Sequence, residues 1–175
     1  MTSFNADNIK CLQDVVDREL LKINKGKRIE SFKSFMDRVL APFSIAIETS
    51  DKEYLSVFSS GDGYREVMSI YSYLIELLDK RYISFIKTPM IRKSIKYGTS
   101  SETNRAYLSS AEATIFFTDH FTSNVCVSKD FKRFVKSGRV SLNDELAKKS
   151  IYIGMIVLVL SVASLIVGIL ALCCS

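Results

Sequence analysis

The stretch from Ser150 to Leu172, SIYIGMIVLVLSVASLIVGILAL, constrains this chain more than any other. It holds no charge and no proline. As a helix, Ile151 to Leu172 would be roughly 33 Å long, which matches a bilayer core of about 30 Å. Core helices rarely run so far without a charge. The pattern therefore predicts a membrane anchor running from Ile151 through Leu160 to Leu172. Three segments are expected: a helical domain over 1–149, a transmembrane anchor over 150–172 and a short tail over 173–175. Lys148 and Lys149 precede the run, and the positive-inside rule places the domain on the cytosolic side of a single-pass, tail-anchored protein. The tail carries no basic residue, which favours the endoplasmic reticulum or plasma membrane over the mitochondrial outer membrane.

Every one of the 24 Lys and Arg and 19 Asp and Glu falls before Ser150, so the domain carries the net charge of +5. That mild basicity fits an anionic membrane surface at least as well as a nucleic acid. The opening MTSFNADNIKCLQD lacks the apolar run of a secretory signal. Cys11, Cys126, Cys173 and Cys174 have neither the spacing of a disulfide framework nor that of a zinc site. The bias towards Ile, Lys, Ser, Phe and Tyr is common in AT-rich genomes, viral or low-GC bacterial.

Helical periodicity recurs along the domain. Ile9, Leu12, Val16, Leu20 and Ile23 predict a helix over 7–24, stopped at Asn24-Lys25-Gly26. Ile29, Phe32, Phe35, Met36 and Val39 predict a second, ending before Pro42. Residues 43–58 read two ways: Phe43, Ile45 and Ile47 alternate like a strand, while Tyr54, Leu55 and Phe58 suit a broken helix, which we favour. A long helix is expected from Tyr64 towards Ile86, and another over 103–120. Residues 123–127 read as a connector. A short basic helix, KDFKRFVKS, should stop at Gly138, and a last helix should start at Ser141 and run on into the apolar stretch. The expected fold is all-α, a bundle of six or seven helices followed by one transmembrane helix.

Little in the chain points to catalysis. His120 is the sole histidine, and no nucleophile–base pattern surrounds it. Gly61-Asp62-Gly63 lacks the residues of a phosphate loop or of a calcium loop. We expect no enzyme activity, no cofactor and no metal. The segment containing Lys80, Arg81, Lys87, Arg92, Lys93 and Lys96 holds no acidic residue and interleaves its cations with Ile83, Phe85, Ile86, Met90, Ile91 and Ile95. As an amphipathic segment it would suit an anionic membrane surface. In the anchor, Gly154, Ser161, Ser164 and Gly168 fall near one stripe, which would let two membrane helices pair.

A helical domain, a central apolar helix and a C-terminal tail together resemble the plan of the Bcl-2-like apoptosis regulators. The likeness is architectural: that family's Asn-Trp-Gly-Arg motif is absent, and the chain has no tryptophan. The likeness implies regulation of apoptosis, within a host–virus interaction where the source is viral. The expected function is a non-enzymatic membrane protein whose domain binds a protein partner, a helical peptide or a membrane protein. Other expected associations are the lipid bilayer and a homo-oligomer, with no nucleic acid. The alternative is a viral or bacterial structural or membrane-remodelling protein that uses the basic surface and the pairing of its anchor.

Overall fold

Short strands occupy the stretches between the helices. The computed structural model describes residues 6–26, 29–50, 54–87, 95–102, 104–140 and 142–173. In chain order the elements are α1 (Ala6–Gly26), β1 (Glu30–Ser31), α2 (Phe32–Leu40), a 3-10 turn (Ala41–Phe43), β2 (Ala46–Ser50), β3 (Tyr54–Phe58) and α3 (Gly63–Asp79). There follow β4 (Ile83–Ile86), β5 (Lys96–Gly98), β6 (Arg105–Tyr107), α4 (Ala111–His120), β7 (Asn124–Val127), α5 (Phe131–Lys136) and α6 (Leu142–Cys173). The strands form two antiparallel sheets, ordered β1-β7-β4 and β5-β2-β3-β6. The all-α expectation is overturned, and the architectural likeness to Bcl-2-like regulators goes with it. The fold is mixed α and β.

The helices expected over 7–24, after Ile29 and after Tyr64 are present as α1, α2 and α3. Ser31 caps α2, its Oγ accepting the Ser34 N–H at 3.2 Å. The helix expected to continue to Ile86 ends instead at Asp79, and Arg81 turns the chain at φ +58 into β4. The region 43–58 is a hairpin: β2 and β3 pair from Ala46↔Phe58 to Ser50↔Tyr54. The connector expected at 123–127 is β7, flanked by β1 and β4.

The chain divides into two compact units, Met1–Lys132 and Arg133–Ser175. In the first, Ile45, Ile47, Leu55, Val57 and Tyr97 point from one face of the four-stranded sheet into the core, each at most 1% exposed. The period of two along each strand places them together. The Tyr97 hydroxyl donates to the Phe117 carbonyl at 2.5 Å. Phe32, fully buried, contacts the rings of Phe35, Phe85, Tyr97, Phe116, Phe117 and His120. The offset and edge-on arrangements are those that aromatic quadrupoles favour.

In the second unit, Gly138 stands at φ +73 just after α5, where the sequence predicts the stop. From Leu142, α6 is uninterrupted to Cys173. Its large apolar side chains from Ile151 to Val162 are exposed. Among the described residues, no helix is long and apolar enough to cross a membrane. This corrects the expectation of a single-pass, tail-anchored membrane protein with a span over 150–172, and the organelle placement derived from it.

Candidate functional site

The outer face of the four-stranded sheet differs from its core face at the β3–β6 end. Side chains alternate along each strand, so Tyr54, Ser56 and Phe58 of β3 share that face with Arg105 and Tyr107 of β6. The register sets Ser56 opposite Tyr107 and Phe58 opposite Arg105. Arg105 Nε donates to the Ser56 hydroxyl at 2.8 Å. Its guanidinium lies 4.8 Å from the Tyr107 ring centroid and 5.9 Å from that of Phe58, within cation–π range. The side chain is thus held in place by a buried hydroxyl and two rings. Tyr54 and Tyr107 are each 56% exposed. Among the described residues no carboxylate lies within ion-pair distance of Arg105. The result is an aromatic and cationic surface with a hydrogen-bonding edge.

The two edges of this sheet are treated differently. Along β2 and β5 the Thr49 N–H donates to the Ile95 carbonyl at 3.0 Å. Narrow pairs therefore fall at Thr49 and Ile47, and Gly98 turns its N–H outward. The Asp37 carboxylate of α2 accepts that N–H at 2.8 Å. Beside it lies an open cleft of ≈ 300 Å³ lined by Lys33, Asp37, Lys96, Gly98 and Thr99. Both lysines there are committed, Lys33 to Asp37 and Lys96 to Glu48.

At the opposite edge, Ser59 N–H donates to the Asn104 carbonyl and Leu108 N–H to the Leu55 carbonyl at 2.9 Å. By the same alternation, Ala106 faces β3 across a narrow pair, and the backbone groups of Arg105 and Tyr107 turn away from the sheet. All three residues of β6 are exposed.

The cations singled out in the sequence are scattered. Lys80 pairs with Glu76 at 2.7 Å, and Lys96 with Glu48 at 2.5 Å. The acids missing from the segment itself come from α3 and β2. Arg81 and Lys87 are exposed, at a turn and just after β4. Arg92 and Lys93 lie outside the described residues, as do Met90 and Ile91. Since β4 and β5 belong to different sheets, the segment is not one amphipathic helix.

The small residues of α6 are described in part. A methyl group at Gly154 would meet nothing within 4 Å. Ser161 and Ser164 bond back to the carbonyls of Val157 and Leu160 at 2.8 and 2.9 Å. The side-chain surroundings of Gly168, like those of Leu172, lie outside the described residues. Ile151 and Leu160 are exposed.

His120 is half-buried against Phe85 and Phe116, with ring centroids 4.2 and 4.7 Å away. Burial lowers its pKa, against the pull of the Phe116 carbonyl 2.9 Å from Nδ1. The surroundings are those of a packed ring. At Glu19 burial opposes ionisation, but hydrogen bonds from Lys22 and Arg38 hold the carboxyl below its usual range. The Arg38 hydrogen bond does the same for Glu30. Carboxylates pinned by arginine are poor proton carriers. Among the described residues no cluster of His, Cys, Asp or Glu could hold a metal.

No family model, no curated protein and no solved structure matches the chain.

The sequence reading missed Tyr54, Phe58, Arg105 and Tyr107 as a set. The signal that could have found them is the period of two in Tyr54-x-Ser56-x-Phe58 and Arg105-x-Tyr107, which helical stripes across the same residues obscure.

Proposed function

We propose that this chain is a non-enzymatic protein-binding module that reads its partner with the outer face of the sheet at β3 and β6. One observation carries the reading: Arg105 is fixed against Phe58 and Tyr107, beside two tyrosines more than half exposed. Tyrosine and arginine are the residues that dominate binding hot spots. Fixed side chains lose little entropy on binding. Among the described residues no acid pairs with Arg105, unlike the lysines of the cleft, which already hold acids.

The test is site-specific photo-crosslinking in the cell of origin. A benzophenone amino acid at Tyr54 should give one discrete protein adduct that Arg105→Glu abolishes. The same group at Arg65, an exposed position on α3, should give none. Adducts of equal intensity at both positions, indifferent to Arg105→Glu, would overturn the reading.

A further inference from the structure

We propose that the edge of β6, unpaired among the described residues, takes an extended acidic peptide segment as a fifth, antiparallel strand of the sheet. The proposal rests on the binding face described above and names what that face recognises. Three observations carry it. First, Arg105 and Tyr107 direct their backbone N–H and C=O groups outward, as the alternation of Ser59–Asn104 and Leu108–Leu55 bonds requires. A strand edge of this kind is a template for main-chain hydrogen bonds, which supply affinity while alternate side chains supply specificity. Second, the opposite edge shows what a covered one looks like: there Asp37 takes the outward N–H of Gly98. Third, the side chains belonging to the open edge are Arg105 and Tyr107 themselves.

A strand opposite β6 would place every second side chain on their face. Arg105, with no carboxylate neighbour among the described residues, selects a Glu or Asp there. Tyr107 selects the aliphatic part of the same or the next side chain. Every neighbouring pair in this sheet is antiparallel, and an antiparallel arrival continues the pattern. A second copy of this chain suits the edge less well. Two β6 strands paired about Ala106 would set two Arg105 side chains diagonally on one face, where like charges oppose.

The geometry also supplies a clean variant. Tyr107→Pro deletes an outward N–H and leaves the bonds to β3 intact, and proline is tolerated on a free strand edge. Ala106→Pro would instead remove an inward bond. The probe is a labelled peptide, Thr-Glu-Val-Glu-Thr-Glu-Val-Thr with blocked ends, titrated into the full chain by fluorescence anisotropy. Three weakened forms are expected, each by at least about tenfold: Tyr107→Pro, Arg105→Glu, and a peptide N-methylated at its Glu amides. N-methylation at the two Val amides and the internal Thr amide, which would face solvent, should change little. Should Tyr107→Pro fail to fold, the two N-methylated peptides still decide.

Failure to bind overturns the proposal, as does equal binding of the Lys-for-Glu peptide. Equal binding of both N-methylated peptides, with Arg105→Glu still weakening them, overturns strand addition but leaves recognition by the outer face standing. Self-association of the chain that Tyr107→Pro breaks in the absence of peptide would put a second copy on the edge and overturn it too.

Discussion

Arg38 ties two carboxylates from two elements into one cluster. Its Nε donates to Glu19 of α1 at 2.8 Å and its terminal nitrogens to Glu30 of β1. The Glu19 side chain is only 3% exposed, so removing the arginine leaves a buried carboxylate with Lys22 and Arg18 as its remaining cations. Breaking a fully buried pair costs roughly 3–5 kcal/mol. Arg38 is 36% exposed, and solvent moderates the loss. We expect Arg38→Met to cost about 2 kcal/mol in urea unfolding at pH 7. Both carboxyls titrate below the ordinary 4.5 in the folded chain. Their contribution is complete above that value and disappears as pH falls through the folded values. The stability difference between wild type and Arg38→Met should therefore shrink below pH 4.5. His120 behaves in the same sense for a different reason. Burial favours its neutral form and lowers its pKa below 6.5. The folded state binds fewer protons there, so thermal stability should decline as pH falls below 6.5, and His120→Gln should flatten that limb. Gly98 has φ +66, and a methyl group there would lie 2.2 Å from the Ile45 carbonyl oxygen. Gly98→Ala should cost at least about 1–3 kcal/mol by the same unfolding assay.

At the scale of elements, the long helices were legible and the short strands were not. α1 repeats its apolar residues from Ile9 to Ile23, about four turns, enough to establish the helical period. Ile83-Ser-Phe-Ile86 and Asn124-Val-Cys-Val127 span four residues each, too few to distinguish a strand from a turn of helix. The hairpin 46–58 was visible as alternation at Ile45 and Ile47, but Tyr54, Leu55 and Phe58 also fit a helical spacing. What decides it is pairing with β5 and β6, whose paired residues lie 47 to 52 positions further on in sequence, beyond any local window. The binding face shares this fate, since it exists only once Ser56 meets Arg105 across the register. Phe32 shows the same dependence from the core side. It reads as one apolar position in a helix, yet rings from α2, β4, β5 and α4 converge on it. Phe32→Ala should cost about 3–5 kcal/mol in urea unfolding, with loss of near-ultraviolet circular dichroism as packing loosens.

For the whole molecule, the net charge of +5 is not concentrated where the sequence suggested. The stretch 80–96 is divided between two sheets, and Lys80 and Lys96 are paired with acids from other elements. Among the described residues, the cation with a binding geometry is Arg105, on the edge strand β6. Backbone amide hydrogen exchange, followed residue by residue by NMR on the full chain, tests this account most directly. In the free protein the amides of Ala106 and Leu108 should exchange slowly, and those of Arg105 and Tyr107 fast. With the Glu-bearing peptide at saturation, Arg105 and Tyr107 should become protected by at least about tenfold, consistent with newly formed hydrogen bonds. Protection at Arg105 and Tyr107 already present in the free chain, or unchanged exchange at saturation, would contradict it.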